Sequence, residues 1–124
     1  MEKICLDFDT AVDFLRGDPS TIEKLMYYAD REELCITSMT MMQLLETIKK
    51  QEVVANFANS ITILPFDKKA AAIANRINKD LKGRGEMPKP IDSILLASVC
   101  IAQDAFVFSR SPWKFEGIRG LRKV

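Results

Sequence analysis

The residues of this chain best equipped for chemistry are three aspartates in two places. Asp7 and Asp9 close the apolar run Ile4-Cys5-Leu6, and Asp92 opens the most apolar helix-like segment, which runs from Ile91 to Val99. Open α/β folds carry their chemistry beyond the C-terminal ends of buried strands, and a carboxylate delivered there is placed for it. Acids far apart in sequence, each at the edge of a buried element, point to a shared divalent cation, because hard cations take oxygen ligands. The chain has no histidine. That removes Ser/His/Asp and Cys/His nucleophilic machinery, imidazole acid–base catalysis and histidine-bound zinc together. Carboxylates, lysines, hydroxyls, thiols or an oxygen-held metal must do whatever chemistry is left.

Each acid also has a plainer reading. Asp7 could accept hydrogen bonds from the turn that follows it, and Asp92 could complement a helix dipole after Pro90. Asp13 and Asp67 read most simply as a helix-surface acid and a helix cap. Gln43 and Glu46 lie opposite the Met41, Leu44 and Ile48 face of their helix and read as solvated surface. The basic side of the long helix, with Lys82 and Arg84, could track a phosphate backbone, but on a chain of net charge +1 it is more simply a solvated face.

The elements that must position these residues alternate between β-type and helical runs, the pattern of an α/β fold with a parallel sheet. Lys3 to Phe8 reads as a first buried strand and Thr10 to Arg16 as a short helix ended by Gly17. Asp18 caps a second helix, with Pro19 just inside it and Ile22, Leu25, Met26 and Ala29 toward the core. Leu34 to Ser38 is a second strand, and Thr40 to Lys49 a helix with Met41, Leu44, Leu45 and Ile48 on one face. Gln51 to Asn59 forms a further helix, and Ile61 to Leu64 a third strand closed by Pro65. Asp67 caps a long amphipathic helix with Ala70, Ile73, Ala74, Ile77 and Leu81 on its inner stripe. A loop from Lys82 to Pro90, the apolar helix from Ile91, a strand at Phe106 to Phe108, a turn at Ser111-Pro112 and an edge strand complete the chain. The 124 residues are expected to form one domain, 1–124, with a core that needs no staple. No segment is long and apolar enough to cross a membrane, and Asp7 and Asp9 interrupt what would be a signal sequence, so a cytoplasmic protein is expected. Cys5, Cys35 and Cys100, scattered in apolar runs, are expected to be buried free thiols.

With these elements placed, the chain resembles the PIN-domain family and, within it, the VapC-like toxins of toxin–antitoxin pairs. Leu6-Asp7-Phe8-Asp9-Thr10 through Arg16-Gly17 is similar to the family's L-D-T-N opening and the helix ending in R-G. The stretch from Ile36 to Leu45 is similar to the motif ending A-E-L-L, and Ile63-Leu64-Pro65-Phe66-Asp67 to the punctuation before the long helix. Asp92 to Ser98 is similar to D-x-L-I-A-A-T, and Phe108-Ser109-Arg110 through Glu116 to V-T-R-N-x-x-D-F-E. The resemblance spans nearly the whole length and implies a three-layer α/β/α fold with a parallel sheet of four to five strands.

It also implies a function: RNA hydrolysis assisted by Mg²⁺ or Mn²⁺ on clustered carboxylates, a cognate antitoxin protein as partner, and a homodimer. Asp7 and Asp92 match metal-ligating acids, and Asp9 stands where the family has asparagine. Gln43 and Lys114 replace two further acids, and Ser111 replaces an asparagine. Ser109, Arg110 and Lys114 are the expected phosphate contacts. At about 4 Å, a unit charge is worth on the order of 1–4 kcal/mol between bulk-water and near-surface dielectrics, so the two replacements weaken cation binding. Asp9 or Glu46 could restore an acid, or the Lys114 ammonium could stand in for the ion beside Asp7 and Asp92. Two readings stay open: a nuclease with a reduced acid set, or an inactive PIN-like module that binds RNA or protein. A phosphoacceptor receiver domain is disfavoured, because Ile63-Leu64-Pro65-Phe66 ends the third strand without an acid.

Overall fold

In the computed structural model, which describes residues 1–124, the central strand is β1, Lys3–Leu6. Helices α1 (Phe8–Leu15) and α2 (Pro19–Ala29) lead to β2 (Glu33–Thr37), and α3 (Ser38–Thr47) and α4 (Gln51–Asn59) lead to β3 (Thr62–Leu64). Then α5 (Lys68–Gly83) and α6 (Ile91–Ala102) carry the chain back across the sheet to β4 (Ala105–Phe108), and β5 (Arg122–Lys123) closes the edge. The sheet order is β3-β2-β1-β4-β5, with every pairing parallel. Connections from β1 first run outward to β2 and β3. The return to β4 on the other flank makes the β1/β4 junction the switch point of the sheet, where such folds open a crevice.

Side-chain alternation along the strands divides the interior into two cores, as the two-residue period of a strand requires. Cys5, Cys35 and Val107 point to the face covered by α5 and α6, where Ala74, Ile77, Leu81, Ile94 and Val99 meet them. Leu6 and Ile36 point to the other face, against Ala11, Leu25, Leu44, Val54 and Phe57 from α1–α4. The result is the three-layer α/β/α arrangement expected, with five strands. No helix is long and apolar enough to cross a membrane.

Three details differ from the sequence reading. Strand β1 stops at Leu6 rather than Phe8, because Asp7 leaves the ladder to cap α1. Met26 is 57% exposed, since α2 fully buries only Leu25. Leu45 stands at the surface, one helical step past the buried Leu44. The caps at Asp18 and Asp67 form as read, accepting from the Thr21 and Ala70 amides.

All three cysteines are buried and free. The Cys5 thiol is pushed well above its ordinary range by a hydrogen bond with Cys100 and by burial. Burial pushes Cys35 up to about 12. Native protein is therefore expected to resist iodoacetamide at neutral pH, and denatured protein to take three labels, as read by intact mass. In the unfolded chain Cys35 ionises near 9.0 while the folded chain keeps its proton to about 12. The folded state holds more protons in that window, so stability is fully present below it and falls as pH rises through it. Leu44→Ala, at a site with no exposure, should cost about 2–5 kcal/mol in urea unfolding.

Candidate active site

Asp7 is buried and anchored through both of its carboxylate oxygens. It sits just past β1 in extended backbone, 6% exposed. Its Oδ1 accepts from the Thr10 amide at 3.0 Å and its Oδ2 from the Ser109 hydroxyl at 2.5 Å. The Ser109 oxygen in turn accepts from the Ser111 amide at 2.9 Å, and the Asp7 amide donates to the Phe108 carbonyl at 3.2 Å. A buried carboxylate is tolerable when its oxygens are hydrogen-bonded in this way. Asp7 thus ties the ends of β1 and β4 to the first turn of α1.

Beside it, a cleft of about 180 Å³ opens beyond the C-terminal ends of the strands. Asp7, Asp9, Gln43, Asp92 and Lys114 all line it. Asp92 is exposed in the first turn of α6, with Oδ1 accepting from the Ser93 amide at 3.0 Å. Asp9, in the first turn of α1, meets the Lys114 ammonium at 3.1 Å. Both partners are partly exposed, so the pair is worth about 0–1 kcal/mol. Its lysine comes from a 3₁₀ turn, Pro112–Phe115, that folds across the cleft.

Several side chains are not where the sequence reading put them. Gln43 is half-buried in the cleft rather than solvated, whereas Glu46 is exposed and outside it. Lys114 pairs with Asp9, not with Asp7 or Asp92. Arg110 leaves the cleft and binds Asp13 at 2.6 Å, which makes Asp13 more than a surface acid. Ser109 holds Asp7 and does not line the cleft. Arg84 is drawn into pairs with Asp80 and Glu86, so it is not part of a free basic face. The reading also passed over Thr37 and Thr40, whose buried hydroxyls meet at 3.1 Å in the cleft wall. Their signal was the T-x-x-T spacing of a cap at a strand-to-helix switch.

The donor set bears directly on a metal. No group of three or more acidic or thiol side chains gathers closely enough to hold an ion, so there is no closed cage. Mg²⁺ rarely needs one: it keeps several waters and is often held by one or two carboxylates and a substrate phosphate. Asp7 and Asp92, neither of them ion-paired, with the amide oxygen of Gln43, suit that looser arrangement.

No protein-family model matches the sequence, and no curated protein does. Solved structures do. A chain of VapBC2 from Rickettsia felis, bound to a DNA fragment from its promoter, superposes with a TM-score of 0.84 at 21% identity, over 98% of this chain and 97% of that one. A chain of DNA-bound VapBC from Salmonella typhimurium gives 0.83 at 26% identity, over 100% and 98%. One from VapBC-1 of nontypeable Haemophilus influenzae gives 0.82 at 15%, over 98% and 96%. The chain has a VapC-like PIN fold. For a PIN-like chain its acid set is thin, with Gln43 and Lys114 at two positions where the sequence resemblance implies acids.

Two substitutions separate the structural from the chemical part of Asp7. Asp7→Ala loses the cap and should cost about 0.5–2 kcal/mol or more, whereas Asp7→Asn keeps an acceptor for Thr10 and should cost less. Ser109→Ala leaves a buried carboxylate oxygen without its donor and should cost about 1–3 kcal/mol. Urea midpoints of the three variants check both statements.

Proposed function

We propose that the chain is the VapC-like toxin of a toxin–antitoxin pair: an endoribonuclease dependent on Mg²⁺ or Mn²⁺ that works with a reduced acid set. The observation that carries this is the convergence of Asp7, Asp9, Asp92 and Gln43, from three separate helical segments and a strand end, on one cleft at the switch point of a PIN-like sheet. Three carboxylates face a single ammonium there, which leaves an acidic cleft suited to a cation and, through it, to a phosphodiester.

Asp7 and Asp92 would hold the ion, with Gln43 contributing its amide oxygen. The chemistry such an ion supplies is activation of water and neutralisation of charge on the scissile phosphate. The protein's own part is positional. Thr10 and Ser109 fix both oxygens of Asp7, so that its orientation costs nothing when substrate arrives. Lys114 is held at the mouth by Asp9 through a pair weak enough to open, and its ammonium then meets a phosphate oxygen. Arg110 would contact a more distant phosphate. The VapBC complexes that share the fold support an antitoxin protein as partner, and a cytoplasmic homodimer belongs to the same reading.

The Lys114–Asp9 pair favours a second reading, in which the ammonium does the cation's work and the domain binds RNA or protein without cleaving. Calorimetry with Mn²⁺ and cleavage of single-stranded RNA distinguish the two. The nuclease reading expects wild type to bind Mn²⁺ and cut RNA, Asp92→Asn to lose both, and Lys114→Asp to bind the ion at least tenfold more tightly, as an added carboxylate in a charged site implies. Wild type silent in both assays, with Mn²⁺ binding appearing only in Lys114→Asp, would establish the second reading instead.

A further inference from the structure

A second and larger cavity, about 580 Å³, lies next to Asp7 but does not include it. Thr10 and Ser109, the two residues that donate to Asp7, form part of its wall. The remaining wall has a distinctive chemistry. Tyr28 meets Phe108 edge to face, with ring centroids 5.8 Å apart, and Tyr27 meets Tyr28 in the same way at 5.3 Å. Tyr27 is 55% exposed although Arg31 lies 4.1 Å from its ring centroid. Lys24 and Arg110 bring two cations to the rim and Glu23 an acid, with the charge of Arg110 taken up by Asp13. Their field is felt nearby: the Asp18 carboxyl lies below the usual range, chiefly through hydrogen bonds from Thr21, with Arg110 and Lys24 adding to the effect.

The Thr10 hydroxyl has no hydrogen-bond partner, but its oxygen is sealed from solvent and takes no part in the cavity surface. An exposed aromatic wall beside the unpaired ammonium of Lys24 is what a nucleotide recognises: bases stack on aromatic side chains, and phosphates seek cations.

We propose that this cavity is a nucleotide subsite, taking one base of a single-stranded RNA against the Tyr27–Tyr28–Phe108 wall and its phosphate against Lys24 and Arg110. It deepens the nuclease reading, on which it rests for the adjoining phosphate, since the shared Asp7 anchors place the subsite one step from the acidic cleft. Lys24 is the freer of the two cations, because Arg110 is already engaged by Asp13.

The test uses a short, fluorescently labelled, single-stranded RNA of random sequence, with metal chelated so that binding is read apart from cleavage. Tyr27→Ala, at an exposed position that tolerates truncation, should weaken binding by roughly tenfold, the worth of one base–aromatic stack. Tyr27→Phe keeps the ring and should bind as wild type does. Lys24→Gln should weaken binding and reduce the salt dependence by about one phosphate contact. Wild-type affinity in both Tyr27→Ala and Lys24→Gln, or no RNA binding by wild type, would overturn the subsite. So would Tyr27→Ala that keeps its RNA but no longer binds an antitoxin protein, which would assign the cavity to that partner. The two proposals fail separately. RNA bound by wild type and lost in Tyr27→Ala, with no cleavage on adding Mn²⁺, supports the subsite and removes the nuclease. Cleavage by Tyr27→Ala with unchanged KM keeps the nuclease and removes the subsite.

Discussion

The Asp7 carboxylate is the constraint around which the functional end of this protein is built. It is almost fully buried, and it remains there because each oxygen has a donor, one from the first turn of α1 and one from the end of β4. β1 is paired on both sides, with β2 and β4. Any movement of Asp7 would therefore have to break a helix cap, a strand ladder or the Ser109 hydrogen bond. A site residue held this firmly spends no ordering entropy when a ligand arrives, which is the physical sense of preorganisation.

The charge balance of the cleft follows from that anchor. Asp7, Asp9 and Asp92 face one space, and like charges in partial burial repel unless something positive joins them. Lys114 joins them by pairing with Asp9, in the first turn of α1, and leaves Asp7 and Asp92 without a cation of their own. A full acid cage would demand an ion permanently. In the proposed site this thinner set would need substrate phosphate and water to complete the coordination of an ion.

The two cavities are two sides of the same anchor. Thr10 and Ser109 spend one donor each on Asp7, while their residues also face the aromatic wall of the larger cavity. Helix α2 supplies that wall because it packs through a single buried residue, Leu25, and leaves Tyr27 and Lys24 near the surface. What looked like loose packing of an amphipathic helix thus leaves room for the second cavity beside the acids.

The elements were legible in the sequence because they are set by local chemistry. The caps at Asp18 and Asp67, the inner stripe of α5, the bounds of α4 and the apolar strands all follow from hydrogen bonding and periodicity within a few residues. The motif order was enough to imply the α/β/α fold and to single out Asp7 and Asp92. Which acid takes Lys114 was decided only in three dimensions, since 105 residues separate it from Asp9 and the partner depends on how the last turn crosses the cleft. The same holds for Gln43, whose helix face looks polar and therefore solvated until the start of α6 and the last turn are placed around the same cleft. Arg110 and Ser109, both expected as phosphate contacts, leave the cleft for the same reason: one residue along an irregular segment turns a side chain into or out of a cavity, and no periodic rule governs that turn. The sequence by itself determined the elements and the acids they carry. The tertiary structure decided which charges meet, because pairing energies of this size depend on distances that only packing sets.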